Sequence, residues 1–286
     1  MPPDADAVER SGARVASWRA RLALRFAHDG ERSWLAERRH EGPLVVQKAL
    51  YPEGPAVCQA IVVHPPGGIA NGDALDLAIA ADERAHAQLT TPGAAKWYRC
   101  ARGGASQTMR IDAKAGAVVE WLPQGTIVFD GARASLATRV DLAGDATFIG
   151  WEIVCLGRVA AGERFASGGF AQRTDVYRER ALIWSERMRL EASSRLLQSR
   201  AGLNAKPVFG TFVAFTRNID DRMLEVARRT LACDGDGVVS RLPGVLVGRF
   251  VGASSEGAFR YFVALWEALR PLIVGRSAVA PRIWST

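Results

Sequence analysis

The sequence predicts a mainly β fold of stacked antiparallel hairpins, with two α-helices in the C-terminal third. Three observations carry this. Apolar and polar residues alternate in short runs, turn residues separate those runs, and the pattern recurs. Leu75–Ile79 turns at Asp82-Glu83-Arg84 and resumes over 85–91. Thr108–Ile111 turns at Lys114-Ala115-Gly116 and resumes over 117–121. Thr138–Leu142 turns at Gly144-Asp145 and resumes over 146–153. The resuming strands begin at Ala85, Ala117 and Ala146, a spacing of about 30 residues that stacked β units would give. One hairpin cannot bury its apolar face and a stack can, although an ordinary sandwich fits the same pattern.

Ahead of the repeat, strands are expected at Arg19–Phe26 and Val45–Lys48, and a buried strand at Val57–Val63 leads into a bend at His64. After it, Arg187–Ala192 and Val208–Phe215 read as strands. Asp220 can cap a helix over 221–233, with Met223, Val226, Ala227, Thr230 and Leu231 near one face. Ser254 or Ser255 can cap a second over 256–269. Its Phe259, Phe262, Val263, Trp266 and Leu269 follow i, i+3, i+4, i+7 spacing, which suits packing on the β core or a docking face. Pro271 is expected to break or kink it. Residues 1–16 read as a mobile tail, and 17–286 as a single β-rich domain.

With 286 residues, 48% hydrophobic and 23% charged, the chain can bury a core. No apolar run is long enough to span a bilayer, and the first residues lack the apolar centre of a secretory signal. Cys58, Cys100, Cys155 and Cys233 are isolated, which fits a reducing cytoplasm and argues against a zinc ribbon. The net charge of +7 is spread over scattered arginines, so acidic protein partners are favoured over nucleic acid. There is no phosphate loop, nucleophile elbow or HExxH run, which counts against an enzyme.

The most informative stretch runs from His64 to Arg99. His64-Pro65-Pro66-Gly67-Gly68 leads to Asp73, and Thr90-Thr91-Pro92-Gly93-Ala94 leads into Lys96-Trp97-Tyr98-Arg99. Two rigid bends gather polar groups at one β framework, and the same residues also fit two plain turns beside a basic edge. This stretch resembles the urease accessory protein UreD (UreH) family. So do Glu120-Trp121-Leu122-Pro123-Gln124, Gly150-Trp151-Glu152-Ile153 with Leu156-Gly157-Arg158, and the C-terminal Pro281-Arg282-Ile283-Trp284. Asn71 stands where the family has a second glycine, and Gly125 where it often has an acidic residue.

The resemblance implies a β-helix-like, solenoid-like body with helices near the C-terminal end. It implies a scaffold without catalysis that binds apo-urease subunits, recruits UreF and through it the GTPase UreG, and passes nickel(II) to the urease site. A homodimer within that complex is left open. Nickel would be transient cargo and no cofactor tightly bound. Scattered oxygen and nitrogen donors that bind weakly suit such a conduit. The candidates are His64, Asp73, Glu120 and Glu152, with the hydroxyls of Thr90 and Thr91. Each has an ordinary alternative: a turn cap for Asp73, a buried imidazole for His64, pairing with arginines such as Arg158 for the two glutamates. Lys96, Trp97, Tyr98, Arg99 and Arg158 are expected to bind partners, their cation–aromatic mix being suited to an interface or to a protected edge strand. A different reading is a β-solenoid enzyme acting on an acidic polysaccharide. Lys96, Arg99 and Arg158 would then hold carboxylates, with His64 or Asp73 as base.

Overall fold

The computed structural model describes residues 17–101 and 103–285; the tail expected over 1–16 lies outside them. In chain order the first strands are β1 (Arg19–His28), β2 (Ser33–Glu41), β3 (Val45–Val46), β4 (Cys58–Val63), β5 (Ala74–Ala81) and β6 (His86–Thr90). Then come β7 (Ala95–Trp97), β8 (Ala105–Ala113), β9 (Val118–Leu122), β10 (Thr126–Val128), β11 (Arg133–Leu142) and β12 (Thr147–Leu156). The last are β13 (Gly169–Arg178), β14 (Ala181–Glu191), β15 (Val208–Phe215), β16 (Gly235–Leu242) and β17 (Val245–Gly252). Helix α1 (Asp221–Arg229) precedes β16, and α2 (Ser255–Val274) follows β17.

The strands form two facing sheets. The first runs β14-β13-β11-β8-β5-β1-β2, and the second β16-β17-β15-β12-β9-β6-β4-β3. Short β7 and β10 pair in parallel beside β12. The expected mainly β, solenoid-like body with two helices in the C-terminal third is the observed fold. Its pairing differs from the expected hairpins. The two strands of each unit do not pair with each other. The chain leaves β5, bends at 82–85 and enters β6 in the other sheet, and the same happens between β8 and β9 and between β11 and β12. Each strand pairs in parallel with its equivalent one coil on, as Ala74 with Ser106 and His86 with Val118. Equivalent positions lie 29 residues apart at Gln59 and Gln88, and 32 at Asp76 and Thr108.

The reason lies in burial. The outer face of the first sheet is wet, so β5 alternates buried Leu75, Leu77, Ile79 and Ala81 with exposed or part-exposed residues. In β6 all five residues are buried, because the first sheet covers one face and the helical layer the other. A bend that folds two apolar faces onto each other makes an arch, and its local pattern is the same as that of a hairpin. Antiparallel β2 and β14 close the two edges of the first sheet.

Beyond the second sheet lies a second apolar layer, where Tyr261, Phe262, Leu265, Trp266 and Leu269 of α2 meet Ile149, Trp151 and Phe212. Both caps form as expected: Asp220 accepts from Met223 N–H at 2.8 Å, and Ser254 from Gly257 N–H at 3.1 Å. Helix α1 ends at Arg229, short of the expected 233, because Thr230 turns extended and the chain heads for β16. Helix α2 runs through Pro271 to Val274. Pro271 falls in the last turn, so only one helical bond, to the Glu267 carbonyl, is given up before left-handed Gly275 closes the helix by donating to the Pro271 carbonyl. Val45–Lys48 shortens to two paired residues, and the strand expected at 187–192 is the second half of β14.

Candidate functional site

Three bends from successive coils converge at one end of the solenoid. The first follows β4, where Gly67 has φ +75° and donates to the His64 carbonyl at 3.0 Å. The second follows β6. There Thr91 Oγ1 donates to the Gly93 carbonyl at 3.0 Å and accepts from Gln124 N–H at 3.1 Å, which ties it to the third bend. Ala95 N–H donates to the Gly125 carbonyl at 2.8 Å, and Ile69 N–H to the Lys96 carbonyl at 2.8 Å.

Behind these bends, between the sheets, is a cavity of about 320 Å³. Its walls are largely apolar, from residues such as Val62, Leu75, Leu77 and Trp121. His64, Thr91, Lys96, Gln107, Thr126 and Glu152 supply the polar lining. Thr126 Oγ1 donates to Glu152 Oε1 at 2.7 Å. Burial pushes the Glu152 carboxyl up to about 7, against the pull of that hydrogen bond. Burial also lowers the His64 imidazole, with the Asp73 charge opposing it, and His64 Nε2 is buried without a partner. The cavity therefore offers one neutral imidazole and one carboxyl that changes charge near neutral pH.

His64, Glu152 and Thr91 are thus brought together. The other candidates are not. Asp73 is 5% exposed and serves as a turn cap, accepting from Trp18 N–H at 2.7 Å and Ala70 N–H at 2.8 Å. Glu120 lies on the opposite face of the second sheet, fully buried under α2. It accepts from Arg270 at 3.0 Å, from Trp266 Nε1 at 2.6 Å, and is bonded to His86 Nε2 at 2.6 Å. Burial alone would raise this carboxyl, but His86 and Arg270 outweigh it and hold it at about 2. Arg270 also donates to both oxygens of Glu53. Thr90 faces the same layer, donating to the Leu122 carbonyl and accepting from Trp284 Nε1 at 2.8 Å.

Among the expected partner-binding residues, Trp97 is 1% exposed and belongs to the core. Lys96 is exposed at the cavity rim. Tyr98 packs edge-on to Phe129, with centroids 4.9 Å apart. Arg99 pairs with Asp130 at 2.7 Å. Arg158 pairs with Glu163 at 3.0 Å and lies 4.9 Å over the Phe129 ring. Two of the three cations invoked for an acidic polysaccharide are thus already paired within the chain.

Sequence reasoning passed over Thr126, Gln107, Glu53, His86 and Arg270. Arg270 had left a signal: it lies one turn after Trp266 in the apolar stripe of α2, where a charge needs a buried partner. Among the described residues, no three His, Cys, Asp or Glu side chains gather to hold a metal ion, and no helix is long and apolar enough to cross a membrane.

A family model described as UreD urease accessory protein matches residues 19–285. The chain is similar to the urease accessory protein UreD of Dechloromonas aromatica, 53% identical over 274 residues, covering 94% of this chain and 95% of that one. It is similar to the same protein of an Azoarcus species, 51% identical over 269 residues, covering 94% of each. The Pseudomonas aeruginosa protein is 51% identical over 271 residues, covering 94% of this chain and 96% of that one. Fold and cavity define a β-solenoid protein with a largely apolar cavity between its sheets, a few polar groups in its wall, and a helical layer outside one sheet. The chain belongs to the UreD family of urease accessory proteins.

Proposed function

We propose that this protein is a cytoplasmic scaffold without catalysis of its own. It binds apo-urease, recruits UreF and through it the GTPase UreG, and passes nickel(II) as cargo toward the urease site. The observation that carries this reading is the cavity that joins His64 and Glu152 in apolar walls. An imidazole and a single carboxylate suit a divalent ion of intermediate hardness. Apolar surroundings offer few further ligands, so the ion can leave again. Metal binding needs the carboxylate form, and Glu152 reaches it around neutral pH. Asp73 and Glu120 support the walls and the helical layer in this scheme and do not touch the ion.

The test is co-expression with urease subunits, UreF and UreG, followed by nickel content and activity of the purified urease. Removing this protein should abolish nickel loading. A His64→Ala/Glu152→Ala double variant should still co-purify with its partners and deliver far less nickel. Full nickel content with the double variant would remove the cavity from the route. Failure of the wild-type chain to co-purify with urease or UreF would remove the scaffold.

A further inference from the structure

We propose that Tyr98 is a latch that holds the His64–Gly68 bend shut against the cavity. His64, Gly67 and Gly68 form part of the cavity wall, while Pro65, Pro66 and Gly67 are exposed on the outside. The bend has an internal hydrogen bond, from Gly67 N–H to the His64 carbonyl, which does not tie it to the body. The backbone is anchored on either side of the bend, before it by Val63, which pairs with Val45 of β3, and after it by Ile69, which donates to Lys96 and accepts from Tyr98 N–H, both at 2.8 Å. Between these anchors the bend meets the Tyr98 ring. The ring lies so close on Gly68 that a Cβ there would come within 1.9 Å of ring atom Cε2. The ring also makes a T-shaped contact with Phe129, and Arg158, tied to Glu163, covers Phe129 in turn.

The sequence motifs at 64–68 and 96–99 are therefore two halves of one contact. Gly68 is glycine because the ring occupies the place of its side chain. The contact holds Gly68 and with it the bend that opens at His64, whose buried Nε2 has no hydrogen-bond partner of its own. Tyr98 is thus a positioning residue, and displacing its ring frees the bend to move outward between its fixed ends, Val63 and Ile69. The ring remains 39% exposed, so it can be reached from the surface. This inference deepens the reading of the cavity as an ion passage, and its test needs neither nickel nor a partner.

The experiment places a thiol in the cavity as Leu77→Cys, a buried lining position, in a full-length background carrying Cys100→Ser and Cys233→Ser. Cys58 and Cys155 are buried and are corrected for with the parent that keeps Leu77. A maleimide reports the rate at which position 77 becomes reachable. Tyr98→Ala should raise that rate on the order of tenfold, as expected for release of a local closure. Tyr98→Phe should leave it unchanged, because the ring does the holding. Should Tyr98→Ala not fold, Phe129→Leu keeps apolar volume while removing the edge contact, and should give a smaller rise. An unchanged rate in whichever of these two variants is folded, by near-ultraviolet dichroism, overturns the latch. Nickel delivery that is lost in His64→Ala/Glu152→Ala while position 77 labels no faster in Tyr98→Ala than in its parent would sink the latch and spare the passage.

Discussion

Glu152 is held where its charge is costly. Its hydroxyl partner Thr126 offsets little of the burial, so its folded pKa of about 7 lies above the ordinary 4.5. Between those values the folded chain binds a proton that the unfolded chain has lost. Stability therefore falls as pH rises through that window, and the full penalty is present above it. Glu152→Gln should stabilise the protein by on the order of 2 kcal/mol at about pH 8 and by little near pH 4. Urea titrations at the two values check this; equal gains at both would show that the penalty is not one of charge. Glu120 has the opposite sign. Its pKa of about 2 adds stability that is complete above 4.5 and is lost as pH falls through 4.5 toward 2. Two carboxylates of similar sequence setting, each on a strand beside a tryptophan, thus differ because one has His86 and Arg270 and the other has only a hydroxyl.

At the scale of the elements, α2 is fastened to the solenoid by one buried charge cluster at Arg270, by a surface pair between Arg260 and Asp234, and along its length by apolar contact. Arg270 is 0% exposed and is shared by Glu53, before β4, and Glu120, in β9. Removing it would strand two carboxylates beneath the helix. Arg270→Met should cost about 3–5 kcal/mol, read by chemical denaturation, far more than its loss of packing explains. Ser254→Ala, which removes the cap of the same helix, should cost only about 1 kcal/mol. If the two losses were alike, the buried ion pair would not be what anchors the helix. The caps and the apolar stripe of this helix were readable in the sequence because they depend on neighbours three or four residues away. The partner of Arg270 was not, since Glu120 lies 150 residues off and nothing local marks it. The same limit hid β2. Its Ser-Trp-Leu-Ala-Glu-Arg-Arg-His-Glu run pairs at a sheet edge and carries charge on an exposed face, so no clean alternation survives. Glu152 and His64 could each be picked out, yet their meeting in one cavity follows from three coils stacking in register, which no single coil encodes.

At the scale of the molecule, the coil spacing was legible and the partner of each strand was not, because an arch and a hairpin share one local pattern. The arch has a consequence for cooperativity. Each coil touches mainly its neighbours, so protection should grade along and across the stack. Strands β6 and β9 are paired on both sides and covered on both faces, by the first sheet and by the helical layer. Strands β2, β14 and β16 each have one pairing neighbour and face solvent over much of their length. Native-state hydrogen exchange should therefore find the slowest amides in β6 and β9, opening only with global unfolding, and fast exchange in β2, β14 and β16. Arg270→Met separates this from a uniformly rigid body. It uncovers the face of β9 that carries Glu120 without touching any strand pairing, so it should speed β9 much more than β8, whose cover is the opposite sheet. Equal acceleration of β8 and β9 would mean that the two layers unfold as one unit and that the helical layer is no separate lid on the solenoid.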